Sequence, residues 1–150
     1  MNQSEIERAR FNMIEQQVRT WDVLDQQVLD TMNKVPREVY VPERYRSLAF
    51  ADTNIPLGHG QVMMAPKVEG RLLQALAIEP QHSILEIGTG SAYLTACLAT
   101  LGRHVTSIDI MPDFIEAAEE RLAGREIVNV RLRAGDALTE TGNDSYDIIA

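Results

Sequence analysis

At 150 residues the chain is long enough for about one domain with a single buried core. With 45% hydrophobic and 24% charged residues it reads as globular, and 22 acidic against 14 basic side chains, a formal net charge of −8, repel a phosphate backbone and set nucleic acid aside as a partner. The opening MNQSEIERARF is charged where a signal peptide needs an apolar core, no later apolar run approaches the ~18 residues of a membrane span, and the single Cys97 leaves no intramolecular disulfide and no metal cluster, so a cytoplasmic protein with no membrane contact is expected.

Residues 6–18 carry a weak helical pattern. Asp22 then offers an N-cap, and Leu24, Val28, Met32 and Val35 recur on one helical face that Pro36 closes. In the stretch REVYVPERYRSLAFAD, Pro42 argues against a central strand, and an irregular path is expected. LGHGQVMMAP follows, with two glycines around His59. It reads either as a catalytic loop or as a hairpin whose methionines fill a core, and Met63 and Met64 would point to opposite faces.

Pro66 suits a first helical position, with Val68, Leu72, Ala75 and Leu76 on one face until Pro80. From there the chain alternates. SILEI (83–87) is a short strand, 91–101 a helix, HVTSID (104–109) a strand, PDFIEAAEERLA (112–123) a helix, NVRLRAGD (129–136) a strand, and YDIIA (146–150) begins a fourth. Strands alternating with helices imply right-handed crossovers and a parallel sheet covered on both faces, which binds its ligand at the carboxyl ends of the strands.

At the first of those ends stands E-I-G-T-G-S-A. Gly88 and Gly90 let the backbone turn tightly and approach a ligand, and the helix that follows offers unpaired N–H groups. Asp109 ends the second strand, 21 residues beyond Gly88, where a carboxylate can accept both hydroxyls of a ribose; alone it could equally cap the next helix. Asp136, after the third strand, could accept from an adenine amine or serve as a turn residue. The dinucleotide fingerprint G-x-G-x-x-G fails at Tyr93, which argues against a nicotinamide-dependent oxidoreductase on the same fold.

ILEIGTGSAYLTA, SID, GDA and YDIIA together resemble the successive motifs of class I S-adenosylmethionine-dependent methyltransferases. More narrowly, VPREVYVPERYRSLAFADTNIPLGHGQVMMAP followed by EIGTGSAY resembles the protein-L-isoaspartate O-methyltransferase family, over residues 29–150. The resemblance implies S-adenosyl-L-methionine as cofactor and a protein or peptide substrate methylated at an isoaspartyl carboxylate. It implies that Gly88, Thr89, Gly90 and Ser91 wrap the methionine part of the cofactor, with Glu86 supporting that loop and the amino group. Asp109 would take the ribose hydroxyls, Ile110 would lie against the adenine, and Asp136 with the backbone at Ala137 would read the adenine edge. Ala92 replaces a glycine usual in the family, a one-methyl change that cofactor binding is expected to tolerate.

The substrate loop would comprise His59, Gly60, Gln61, Val62, Met63 and Met64. Where the family has Thr-Ile-Ser before Ala-Pro, with the serine at the active site, this chain has Val62, Met63 and Met64, so Met64 occupies the catalytic serine position and both hydroxyls are gone. A carboxylate acceptor, with a reference pKa of about 4, needs no general base, and His59 is expected to be a turn residue. The lost hydroxyls predict weak or absent methylation of an isoaspartyl peptide, raised by Met64→Ser. They also keep open a cofactor-binding family member with lost or altered acceptor specificity.

The expected fold is thus α/β, a Rossmann-like doubly wound parallel sheet with an N-terminal helical extension. Its expected parts are an N-terminal helical region (1–56), a substrate-side loop and helix (57–80) and the cofactor-binding core (81–150). The family likeness predicts further strands and helices beyond the fourth strand, so the core reads as truncated. Its last strand as an unpaired apolar edge leaves room for a homo-oligomer.

Overall fold

The computed structural model describes residues 1–140 and 144–150, the side chain of Glu140 excepted. It divides into two compact units, Met1–Ala77 and Ile78–Ala150.

In the first unit, helix α1 (Gln3–Met13) is started by a reciprocal cap: Asn2 Oδ1 accepts the Glu5 N–H and Glu5 Oε2 accepts the Asn2 N–H. The helix continues through a π-helical turn, Ile14–Val18, and a 3-10 turn, Arg19–Trp21, before Asp22 ends it in the left-handed region at φ 61°. Asp22 therefore closes one helix where it was expected to open the next. The N-cap of α2 (Gln26–Lys34) is Asp25, whose carboxylate accepts the N–H groups of Gln27 and Val28. Leu24 precedes that cap and stays exposed, while Val28, Leu29 and Met32 enter the core.

The stretch expected to be irregular holds two short helical pieces, α3 (Arg37–Tyr40) and a 3-10 segment, Glu43–Leu48. Tyr40 of this stretch is fully buried, whereas Trp21, at the end of the earlier 3-10 turn, remains half exposed with the Lys67 ammonium 4.4 Å from its ring centroid.

LGHGQVMMAP resolves into an antiparallel hairpin, β1 (Ile55–Gly58) and β2 (Gln61–Met63), with Ile55 opposite Met63. Gly58, His59 and Gly60 all have positive φ, a run that two glycines make affordable, and the register shifts between Pro56 and Gly58. Met63, the last residue of β2, is buried, and Met64, past the end of the strand, is half-buried.

Pro66 stands at the start of α4 (Pro66–Leu76), as expected, but the helix stops at a left-handed Ala77 before reaching Pro80. Its buried stripe is Pro66, Glu69, Gly70 and Leu73, not the expected Val68, Leu72, Ala75 and Leu76. The reason is Gly70, where an added Cβ would come within 2.7 Å of Val18 Cγ1 and 3.3 Å of Val23 Cγ2. The helix turns its smallest residue to the closest backbone approach, and the charged Glu69 is carried inward beside it.

The second unit is a four-stranded parallel sheet: β3 (Ser83–Ile87), β4 (His104–Asp109), β5 (Val130–Ala134) and β6 (Ile148–Ile149), in the order β5-β4-β3-β6. Helices α5 (Tyr93–Leu101) and α6 (Pro112–Ala123) connect its first three strands, and α7 (Ala137–Glu140) follows β5. Ile84, Leu85, Val105, Ile108, Ala96, Cys97 and Leu98 form its core. The regular part of β6 is shorter than expected, yet sheet hydrogen bonds flank it from Asp147 N–H to Ala150. At the opposite end from the carboxyl termini, Asp147 Oδ2 accepts the Ser83 N–H, which holds this carboxyl below its ordinary range. The chain runs outward from β3 to β5 and then returns to the other side of β3. That reversal makes the carboxyl end of β3 the switch point where ligands of such sheets bind.

Candidate active site

The turn after β3 is built from left-handed positions: Gly88 at φ 99°, Gly90 at 52° and Ala92 at 71°. Gly88 N–H donates to the Ile108 carbonyl at 2.7 Å, which ties the turn to β4. A Cβ added at Gly88 would meet nothing within 4 Å, so it is the backbone conformation that favours glycine there, and the turn presents bare backbone to its surroundings. Ala92 takes the third position with a methyl group, fully buried, and delays α5 until Tyr93, two residues later than expected.

Two side-chain systems hold this turn. Beneath it, Glu86 is 2% exposed and its Oε1 accepts from Ser107 Oγ at 2.6 Å and from Thr95 Oγ1. Thr89 and Ser107 hydroxyls are 2.6 Å apart. With Ser107 donating to the carboxylate, Thr89 donates to Ser107, so the hydroxyls are polarised in one direction from the turn to Glu86. Beside it, Asp109 Oδ2 accepts the Gly90 N–H at 3.0 Å and Oδ1 accepts the Met111 N–H at 2.9 Å. Each carboxylate oxygen keeps lone-pair capacity for another donor.

Further along the same sheet edge, Gly135 N–H donates to the Asp109 carbonyl at 2.9 Å, bringing the start of the GDA segment to the end of β4. Asp136 is exposed; its Oδ1 accepts the Leu138 N–H, and Ala137 follows it as the first residue of α7. Ile110 is 64% exposed beside Asp109. The structure therefore gathers Glu86, Gly88, Thr89, Gly90, Ser91, Asp109 and Ile110 at adjoining strand ends, with Asp136 and Ala137 on the neighbouring one.

Thr95, Ser107 and Arg121 were not anticipated. Arg121 on α6 donates to the Ser91 carbonyl at 2.9 Å, holding the glycine turn from the next helix. The sequence signal for the first two was a hydroxyl inside an otherwise apolar strand or helix, HVTSID and LTACLAT. Arg121 sits among charged residues of its helix, and nothing in its local pattern sets it apart.

His59, Gly60, Gln61 and Val62 lie in the first unit at the exposed end of the β1–β2 hairpin, with Val62 49% exposed. Behind the hairpin, Arg37 is wholly buried and its Nη1 pairs with Glu69. Burial pushes the Glu69 carboxyl up to about 7, while the Arg37 charge and hydrogen bond pull it down. Among the described residues no cluster of three or more His, Cys, Asp or Glu could hold a metal ion, and no helix is long and apolar enough to cross a membrane.

Residues 8–149 match the sequence profile of the family described as Protein-L-isoaspartate(D-aspartate) O-methyltransferase (PCMT). The chain belongs to this family. Relatives include protein-L-isoaspartate O-methyltransferase 2 of Anaeromyxobacter sp. (strain Fw109-5), 42% identical over 130 residues, a match covering 87% of this chain and 54% of the relative. Protein-L-isoaspartate O-methyltransferase of Aeropyrum pernix is 42% identical over 117 residues, covering 76% and 45%. A solved protein-L-isoaspartate O-methyltransferase superposes with a TM-score of 0.76 over 95% of this chain and 46% of its own, at 20% identity, which speaks for the fold alone. The chain spans about half the length of the curated relatives it matches. Family and superposition both agree with the Rossmann-like methyltransferase fold read from the motifs.

Proposed function

We propose that this chain carries the cofactor core and acceptor loop of a cytoplasmic S-adenosylmethionine-dependent methyltransferase that acts on isoaspartyl carboxylates in damaged proteins or peptides. The single observation that carries the reading is the coupling of the glycine turn to two buried acids at the switch point: Gly90 to Asp109, and Thr89 through Ser107 to Glu86.

These residues fit an S-adenosyl cofactor. The bare turn at Gly88 allows close backbone approach, Asp109 retains acceptor capacity for a ribose diol, and exposed Ile110 offers an apolar face for a base. Glu86, linked to the turn through Ser107 and Thr89, would favour a nearby ammonium group by its negative charge. Asp136 and the Ala137 backbone are assigned to the adenine edge; Asp136 Oδ1 also accepts the Leu138 N–H at the start of α7. When bound, the cofactor supplies a methyl group made electrophilic by its sulfonium.

The chain's contribution on the acceptor side is alignment and exclusion of water, since an ionised carboxylate needs no base. Residues 59–64 would receive the acceptor, with backbone N–H groups in place of the hydroxyls absent at Val62 and Met64. His59 serves the turn. A second reading, an acceptor other than isoaspartate, is favoured by the exposed apolar Val62 on that loop.

The test is incubation of the full-length protein with labelled S-adenosylmethionine and a peptide containing either isoaspartate or aspartate. Slow, base-labile labelling of the isoaspartyl peptide alone is expected. Labelling of neither peptide, with the cofactor still bound, would favour the second reading.

A further inference from the structure

The link between β2 and α4 contains one peptide group gripped at both ends by side chains. Arg37 Nη2 donates to the Met64 carbonyl at 2.9 Å, and Asn54 Oδ1 accepts the Ala65 N–H at 3.0 Å. These are the C=O and N–H of the same peptide bond, so two contacts set the orientation of its plane and with it the backbone on which the Met64 side chain is mounted. Arg37 is itself fixed: Nε donates to the Ala49 carbonyl at 2.8 Å and Nη1 meets the Glu69 carboxylate.

A buried guanidinium–carboxylate pair is a poor way merely to hold a fold, because desolvating both charges offsets most of their attraction and apolar packing does as well. What an apolar pair cannot do is direct rigid donors along several directions at once, and the planar guanidinium does so here toward Ala49, Glu69 and Met64. Asn54 is exposed and comes from the segment before β1, so the clamp closes from two separate places in the sequence.

We propose that Arg37 and Asn54 are positioning residues for methyl transfer: by clamping the Met64–Ala65 peptide plane they set the acceptor-side loop in its working geometry. This rests on the reading of residues 59–64 as the acceptor loop.

Asn54→Ala is the decisive variant, since its side chain is exposed and the fold has little to lose. Arg37→Lys, which keeps the charge but not the fork, is the companion. In the full-length protein each is compared with the unmodified enzyme for S-adenosylhomocysteine affinity and for kcat and KM on an isoaspartyl peptide, per cofactor-binding molecule. Expected for Asn54→Ala are cofactor affinity within about twofold and kcat/KM for the peptide lowered about tenfold, the scale of one lost hydrogen bond. A merely structural role would lower the fraction of competent molecules and leave the kcat and KM of the remainder unchanged; that result overturns the proposal. An unmodified protein that binds S-adenosylhomocysteine but methylates no isoaspartyl peptide overturns the acceptor reading, and this inference falls with it.

Discussion

Gly90 donates its backbone N–H to Asp109 Oδ2 over 3.0 Å, so the turn after the first strand of the parallel sheet and the acid at the end of the next are one hydrogen-bonded unit. Asp109 consequently has two tasks in the proposed site, holding the turn and accepting a ribose. Asp109→Ala removes both. A charge-assisted hydrogen bond contributes about 1.5–3 kcal/mol, so S-adenosylhomocysteine affinity measured by calorimetry should fall at least about ten- to a hundredfold. An unchanged affinity would place the cofactor elsewhere.

Gly70→Ala sets two effects against each other. Alanine improves helix propensity by about 1 kcal/mol, while its methyl must share space with Val18 Cγ1 at 2.7 Å, an overpacking that costs about 1–3 kcal/mol against a stiff, buried, β-branched neighbour. The net expectation is destabilisation on the order of 1 kcal/mol, read as a lower urea midpoint. A raised midpoint would mean that Val18 yields freely.

Glu69 links stability to pH. Its folded-state carboxyl, pushed up to about 7 by burial against an ordinary 4.5, binds a proton that the unfolded chain has released across that interval. The contribution is fully present below the unfolded value and is lost as pH rises through about 7. Urea midpoints of the unmodified protein should therefore fall between pH 5 and pH 8 more steeply than those of Glu69→Gln. Parallel slopes would contradict the assignment.

Met64→Ser restores a hydroxyl at the position where the family resemblance places one. If that hydroxyl orients the acceptor, the variant should raise peptide methylation about ten- to a hundredfold, corresponding to about 1.5–3 kcal/mol, with cofactor affinity unchanged. A half-buried Met64 can accept this change without opening a core cavity. Brisk methylation by the unmodified protein, unaltered in the variant, would show that backbone donors already suffice.

The parallel half of the chain was legible in the sequence because each element carries its own signal. SILEI and HVTSID are apolar runs of strand length, PDFIEAAEERLA opens on a proline, and all three match the structure residue for residue. The N-terminal half was less legible because its elements are chosen by tertiary fit. Asp22 and Asp25 are both competent caps, and only the left-handed turn at Asp22 decides between them. On α4 the more apolar stripe lost to the one containing Gly70, since close approach to Val18 outweighed added hydrophobic area. The residues proposed for function show the same division. Gly88, Gly90 and Asp109 announce themselves by spacing, whereas Arg37, Asn54, Ser107 and Arg121 act through partners 11 to 32 positions away that no local pattern connects.

The central claim is that the turn at residues 88–91 and Asp109 hold an S-adenosyl cofactor. Calorimetric titration of the full-length protein with S-adenosylhomocysteine, and separately with NAD, tests it most directly. Saturable binding of one S-adenosylhomocysteine per chain with no heat from NAD is the expected result; no binding of S-adenosylhomocysteine would contradict the account.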